Sequence, residues 1–486
     1  MNVHSNKNEF SDYESVIGME VHVQLQTQSK IFCKCKNGFS EIPNQNICPV
    51  CTGHPGILPV LNQKVSELAL RLAVALQAEI AHLSFFDRKH YFYPDLPKNY
   101  QITQNDIPFC SNGFVPIRID NKIKKIKIKR IHIEEDAGKN IHIPDTQESY
   151  VNLDRAGTPL LEIVTYPDLQ SPHEAKLFLK SLFLIVKKLE LSSLKMEEGA
   201  FRADANISVR KINTTELGTK CEIKNVNSFN FIFDALEYEH KRQVQALLEG
   251  QTLRQETRLW DPKKKATFTM RTKETTADYR FVRDPDLPPL SFSQEQIAAS
   301  RKNLPELPDE TLVRLMKQFN LSLYHAELMI EHEEFIPYFE KAYASYSSDQ
   351  LIHWIVRDIM GYLKEHTLPL SDFRVTPLNL ATLVRLLDEG KINQNAAKTI
   401  FVAVATTGAD PQTIMKEQGL TKIDSPEQLE PLIKQIVENN PDKVAAFRAG
   451  KERLLGFFIG QIMKETNGNA DPEQTQELLK KYLSQS

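Results

Sequence analysis

The sequence predicts an α+β chain, in which a sheet-bearing domain fills roughly the first 290 residues and helices fill the rest. Three observations lead there. Several segments before Pro285 alternate apolar and polar residues with a period of two, as half-buried strands do. Pro285, Pro288 and Pro289 then interrupt the chain and set a domain boundary at about residues 290 to 296. Beyond them, nearly every segment spaces its apolar residues at helical intervals.

Bulk properties narrow the function classes. At 486 residues the chain exceeds one ordinary core, and its length suggests about three domains. Sixty basic residues against 63 acidic ones leave a formal charge of −3, so no global field draws nucleic acid and any RNA contact must be local. No apolar run approaches the ~18 residues of a membrane span, and Met1 to Asp12 is polar without an apolar signal core. A cytoplasmic address and no membrane partner are expected. Six cysteines in so long a chain make no disulfide framework, and four of them crowd together.

The first strand organises the rest. Ile17, Met19, Val21, Val23 and Leu25 are apolar, while Glu20 and His22 share the opposite face, two residues apart. Taken alone, that face reads as solvated; other strands must add to it to make a site. Next, Ile31 to Pro59 is a loop rich in Pro, Gly and Asn that carries Cys33, Cys35, Cys48 and Cys51. Their spacing suits tetrahedral thiolate zinc, and four cysteines would close the coordination sphere, so the site is expected to be structural. Val65 to Ile80 reads as an amphipathic helix. His90 to Gln101 packs Tyr91, Tyr93 and Tyr100 with prolines and Lys98, just after Lys89, a loop that can stack on a ring or form its own rigid core.

From Lys122 to Arg130 isoleucines alternate with lysines, a strand with a cationic outer face. It leads to Glu134, Glu135 and Asp136, read as acids where a strand runs into a turn, a usual place for a metal or phosphate site or else a solvated turn. In Thr158 to Thr165, Glu162 stands inside an otherwise apolar strand, where an unpaired carboxylate is costly and calls for a cation. Glu174 to Leu189 reads as a helix. Ala200 to Arg210 then repeats the two-faced pattern, with Arg202, Asp204, Asn206, Ser208 and Arg210 on the polar side. Cys221 to Asn227 adds a strand with Glu222 and Lys224 together, and Phe229 to Leu248 is a long helix. Helices follow at Asp309 to Phe319, Leu323 to Tyr346, Asp349 to Glu365, Pro377 to Glu389 and Gln394 to Thr407. A second joint near Gly408 to Gln412 precedes short helices that include Lys451 to Lys464 and Asp471 to Leu483.

Neither the Gly-rich phosphate loop ending in Lys and Ser/Thr nor the dinucleotide pattern of spaced glycines is present. If ATP is used, carboxylate-held Mg²⁺ on a sheet face is the alternative way to hold a triphosphate. Glu20, His22, Glu135, Glu162 and Asp204 fit that arrangement, although periodicity alone does not make them converge.

At these residues a resemblance becomes specific. VIGMEVHVQL, RKHYFYPDLPKNYQIT, HIEEDAGK, DRAGTPLLEIV, KMEEGAFRADANIS and GTKCEIKNVNSF resemble, in order, the signature blocks of the GatB family, the B subunits of aspartyl/glutamyl-tRNA(Asn/Gln) amidotransferases. GKERLLGFFIGQIMKETNGNADPE is similar to the tail domain this family shares with YqeY-like proteins. The resemblance implies a glutamine-synthetase-like cradle with an antiparallel sheet over residues 1–293, a helical domain over 294–408 and a YqeY-like tRNA-binding tail over 409–486. It implies that ATP phosphorylates the side-chain carboxylate of Glu-tRNA(Gln) or Asp-tRNA(Asn), and that ammonia then displaces phosphate. An amidase A subunit would supply ammonia from glutamine, a small C subunit would join the two, and misacylated tRNA would bind the helical and tail domains.

Carried over residue by residue, the family pattern makes His22, Glu135 and Glu162 the Mg²⁺ ligands, with Glu20 and Asp204 completing the acidic pocket. Arg202, Asn206, Lys89 and Lys224 become candidates for phosphate or the aminoacyl end. The four cysteines match a zinc knuckle that only some members have, so the reaction itself cannot need it. Where the family usually reads Asp-x-Asn-Arg, this chain has Asn152, Leu153, Asp154 and Arg155, with acid and amide exchanged. Two other readings are a non-catalytic tRNA-binding scaffold and a free-standing carboxylate–amine ligase. The full set of cradle acids disfavours the first, and the helical and tail domains disfavour the second.

Overall fold

The computed structural model describes residues 10–484 apart from 39, 121, 144–145, 273–277, 424 and 467. The chain divides into two compact units, Met1–Val313 and Arg314–Ser486.

The first unit is built on a large sheet. Its strands are β1 (Tyr13–Gln24), β2 (Glu79–Ile80), β5 (Cys110–Ser111), β6 (Phe114–Ile119), β7 (Lys122–Glu135), β10 (Pro159–Thr165), β11 (Phe201–Lys211), β12 (Cys221–Lys224), β13 (Glu256–Asp261) and β14 (Ala266–Thr272). They lie in the order β14-β13-β12-β11-β1-β10-β7-β5-β2, with β6 also paired to β7. A smaller sheet joins β3 (Asp87–His90), β4 (Tyr100–Thr103) and β15 (Val282–Arg283), and a hairpin pairs β8 (Lys139–His142) with β9 (Ser149–Asn152). The large sheet is mixed, not purely antiparallel as expected, because β12 and β13 run parallel. The helix Phe229–Leu248 lies between them and carries the chain back to start β13 in the same direction as β12.

One face of this sheet is core. Ile17, Met19, Val21, Val23, Leu161, Ile163, Ala203 and Ala205 are all buried in one cluster with Phe178, Leu182 and Leu236 from two helices, α2 (Pro172–Lys188) and α3 (Phe229–Leu248). Ser171 and Ser228 cap these helices by accepting from the amides of Glu174 and Phe231, each cap contributing about 1 kcal/mol. The helix expected over Val65 to Ile80 is shorter. Here α1 (Gln63–Ala75) stops where Gln77 takes a φ of 52°, and β2 follows.

Glu134 and Glu135 are the last two residues of β7, and Asp136 follows as the strand ends. Opposite Val164 and Thr165 the register shifts from Arg130 to Ile128, leaving Lys129 as an extra residue, a β-bulge. The bulge reverses which side chains face inward. Ile126 and Ile128 are core before it, and Ile131 and Ile133 are core after it. Counting straight from Ile126 would send Glu135 to the polar face; the bulge puts His132 and Glu134 there instead, and Glu135 on the apolar side.

The second unit is helical. The single helix expected over Leu323 to Tyr346 is two, Leu323–Glu331 and Phe335–Ser345, and the stretch from Gln350 to Glu365 passes through a π-helical segment at Trp354–Ile359. Leu429, Ile433, Phe458, Ile462, Leu479 and Leu483 form a separate apolar core near the C-terminal end. Among the described residues no helix is long and apolar enough to cross a membrane.

Candidate active site

Register places the polar residues side by side. Across β1 and its neighbours, Glu20 lies opposite Asp204, and His22 lies opposite both Arg202 and Glu162. One strand further, Glu162 lies opposite His132 and Leu160 opposite Glu134. Because side chains two apart share a face, these pairings turn separate strand patterns into one polar wall. It borders a cavity of about 790 Å³, a size that holds a nucleotide-sized ligand.

The wall centres on His22. Its Nε2 is 3.5 Å from Glu134 Oε1, 3.7 Å from Glu162 Oε2 and 4.0 Å from Glu20 Oε1. His132 Nε2 lies 3.5 Å from Glu162 Oε1, and it is buried without a hydrogen-bond partner. Thr103 Oγ1 donates to Glu134 Oε2 at 3.1 Å and lies 3.3 Å from His132 Nδ1. Donor atoms fall into two groups, Glu20, His22 and Glu162, and His132, Glu134 and Glu162, each within 4.8 Å of one another. Three carboxylates beside two imidazoles, one of them with an unsatisfied buried nitrogen, make a donor set for a divalent cation.

The charges strain one another. Burial and then the neighbouring carboxylates of Glu134 and Glu20 push the Glu162 carboxyl up to about 8. Burial pulls the His22 imidazole down, but the hydrogen bond and charge of Glu134 outweigh it and lift the group to about 9. Burial alone dominates at His132, which falls to about 3 and is neutral. The site therefore holds protons where a cation would replace them.

Three further groups flank the acids. Lys224 Nζ is 2.5 Å from Asp204 and 3.0 Å from Glu222, and Glu222 also accepts from Thr257 at 3.0 Å. Asp136 accepts from Gln24 and Arg202 at 3.0 and 3.1 Å. Lys89 Nζ lies 4.9 Å from the ring centre of Tyr279, and both line the cavity with Tyr91 and Phe281.

Apart from this wall, Cys33, Cys35, Cys48 and Cys51 bring their sulfurs within 4.8 Å of one another. Tetrahedral thiolates around zinc stand about 3.8 Å apart, given Zn–S bonds near 2.3 Å. Cys48 and Cys51 Sγ are 4.0 Å apart, and the Cys48 amide points at Cys51 Sγ at 3.2 Å, so the thiols fit a closed metal knuckle. Asp154, the acid exchanged for an amide, accepts the backbone amides of Asn44 and Asn46 at 2.9 and 2.7 Å and fastens the knuckle loop.

Of the residues singled out in the sequence, Glu20, His22, Glu162, Asp204, Lys89, Arg202 and Lys224 line the cavity. Asn206 shares their face, opposite Gly18 and Glu222, but does not line it. Glu135 departs from expectation. It points away from the cavity, where Lys98 Nζ donates to its carboxylate and the Ile102 amide bonds it at 2.9 Å. Glu134 and His132 stand in its place, and the signal that could have found them is the isoleucine spacing, which changes phase from Ile126 and Ile128 to Ile131 and Ile133 across Lys129.

Residues 15–298 match the family model described as the GatB/GatE catalytic domain, and residues 337–483 match one described as the GatB domain. The chain is 46% identical over 473 residues to the B subunit of the aspartyl/glutamyl-tRNA(Asn/Gln) amidotransferase of Thermoanaerobacter pseudethanolicus, covering 97% of this chain and 99% of that one. Its counterpart in Persephonella marina is 45% identical over 474 residues, covering 97% of this chain and all (100%) of that one. The counterpart in Myxococcus xanthus is likewise 45% identical, with 97% and 99% covered.

Proposed function

The chain belongs to the GatB family, the B subunits of tRNA-dependent amidotransferases, and from that premise we propose that its cavity activates the side-chain carboxylate of Glu-tRNA(Gln) or Asp-tRNA(Asn) with Mg²⁺ and ATP. A carboxylate oxygen of the aminoacyl group attacks the γ-phosphorus, and ADP leaves. The nitrogen of ammonia then attacks the activated carbonyl carbon, phosphate departs, and a proton is lost from nitrogen to leave the amide. A bound divalent cation supplies the positive charge that lets two anions meet.

In this reading Glu20, His22, Glu134, Glu162 and His132 hold the cation, with Glu134 replacing Glu135 in the expected set. Lys89 and Arg202 face the phosphates, while Asp204 and Glu222 fix Lys224 toward the aminoacyl end. Zinc in the cysteine knuckle is structural. Ammonia comes from glutamine hydrolysed in a separate A subunit, a C subunit joins the assembly, and residues 294–408 and 409–486 grip the tRNA. The single observation that carries the reading is the meeting of three carboxylates and two imidazoles, from β1, β7 and β10, on one cavity wall.

The test supplies Mg²⁺-ATP, ammonia and misacylated tRNA to the chain assembled with its A and C subunits. ADP release that requires the tRNA, with amidated tRNA as product, supports the reading. ADP release with free glutamate or aspartate, or none with any acceptor, contradicts it.

A further inference from the structure

The side of β7 turned away from the cavity carries a second construction. Glu135 is buried and held at both ends: its carboxylate takes Lys98 Nζ and the Ile102 amide, and its carbonyl accepts Gln101 Nε2 at 2.7 Å. Adjacent peptides are planar and their side chains alternate, so a shift of Glu135 also moves Glu134 and Asp136, which line the cavity. Lys98, in turn, rests against the knuckle. A methyl group on Gly53 would stand 2.4 Å from Lys98 Cγ and 3.1 Å from its Cα, so the turn after Cys51 and the Lys98 backbone are in direct contact. Gly53 also holds a φ of 72°, which only glycine adopts without strain.

A parallel route runs through Gly157. A Cβ there would touch Cys51 Cβ at 3.6 Å and Lys30 Cδ at 3.5 Å, and the Gly157 amide bonds the Asp136 carbonyl at 2.9 Å. Lys30 is fully buried, with Nζ 3.7 Å from Cys51 Sγ and 3.3 Å from the Leu153 carbonyl, so a cation ties the thiol cluster to the loop before Gly157.

We infer that the four-cysteine knuckle is a strut for the carboxylate cluster, and that the buried Lys98–Glu135 pair transmits its position to Glu134 and Asp136. Lys98 is thus a positioning residue that touches no substrate. The inference rests on the cation cluster proposed above and adds the support that sets its geometry, since ligands bind a metal well only when a rigid outer layer holds them.

The test titrates Mn²⁺ into the assembled complex and reads free metal by electron paramagnetic resonance. Lys98→Met is expected to weaken Mn²⁺ binding about tenfold or more, the usual cost of removing an outer-layer partner. Lys98→Arg should recover most of it. Cys48→Ser with Cys51→Ser, which removes the knuckle metal, should weaken binding by a similar factor. Combined with Lys98→Met, it should weaken binding no further than the double cysteine substitution does alone, because the Lys98 route is one of the two that start at the knuckle. Mn²⁺ affinity within twofold of wild type in Lys98→Met, or losses that multiply in the combined variant, would overturn the inference. Should Lys98→Met fail to assemble, Gly53→Ala displaces Lys98 from the knuckle side with its charge intact. Unchanged Mn²⁺ affinity there also overturns it. Wild-type complex that binds no Mn²⁺ refutes the cation cluster itself, and the strut with it.

Discussion

Replacing Glu162 with glutamine is expected to make the metal-free protein more stable while abolishing activity. Buried among Glu134 and Glu20, the Glu162 carboxyl ionises at about 8 when folded, against an ordinary 4.5. The unfolded chain therefore releases this proton from pH 4.5 upward while the folded one keeps it, so stability falls with rising pH until about 8. At pH 7 the interval is 2.5 pH units, a penalty of about 3 kcal/mol at ~1.4 kcal/mol per unit. Glu162→Gln removes it. Thermal unfolding of chelated protein at pH 7 should rise by roughly 3–5 °C, and the gain should vanish near pH 4, where the folded and unfolded carboxyls are both protonated. Adding Mg²⁺ should raise the wild-type midpoint and leave the variant unmoved. A variant less stable than wild type at pH 7, or a gain equal at pH 4 and pH 7, would refute the argument that carboxylate crowding raises this group.

Glu134→Gln should abolish tRNA-dependent ADP release and cost at least a hundredfold in Mn²⁺ affinity, with tRNA affinity changed less than about twofold; a larger loss of tRNA binding would reassign its role. Glu135→Gln should act differently, destabilising the protein by about 3–5 kcal/mol in chemical denaturation because it leaves Lys98 buried without its anion. Equal effects of the two substitutions would contradict the opposed faces of β7. Divalent-cation binding should strengthen between about pH 7 and pH 9, as Glu162 near 8 and His22 near 9 surrender protons that the cation replaces. For His22 the same shift means stability present below 6.5 and lost as pH rises through about 9; a flat Mn²⁺ titration across this window counts against both. Metal analysis of the purified complex should find one zinc per chain. Stripping it should expose four additional thiols to a chromogenic reagent, and no change in thiol count would remove zinc from the knuckle.

Much of the first unit was legible because its strands obey local rules. In β1 and β11 unbroken alternation placed Ile17 to Val23 and Phe201 to Val209 on the core side, and the polar stripes opposite turned out to line the cavity or flank it. The helix Phe229–Leu248 begins at the serine its capping chemistry requires, and Gln394–Thr407 also matches its periodic segment. Elsewhere local rules were insufficient. The apolar spacing of Leu323 to Tyr346 is helical on both sides of His332, but the helix breaks there, where His332 takes φ −117° and ψ 59° as a C-cap.

By itself the sequence determined which residue types face which side of each strand, and through its ordered blocks the family to which the chain belongs. It also determined the four-cysteine knuckle, since ligand spacing along a short loop is a local property. Only the tertiary structure decided that His132 and Glu134 meet Glu162 and His22 on one wall, and that Lys98 lies behind them. The physical reason is register: one extra residue at Lys129, paired against a strand thirty-odd positions later, reverses the faces of everything after it, and pairing between distant strands is not encoded in either strand alone.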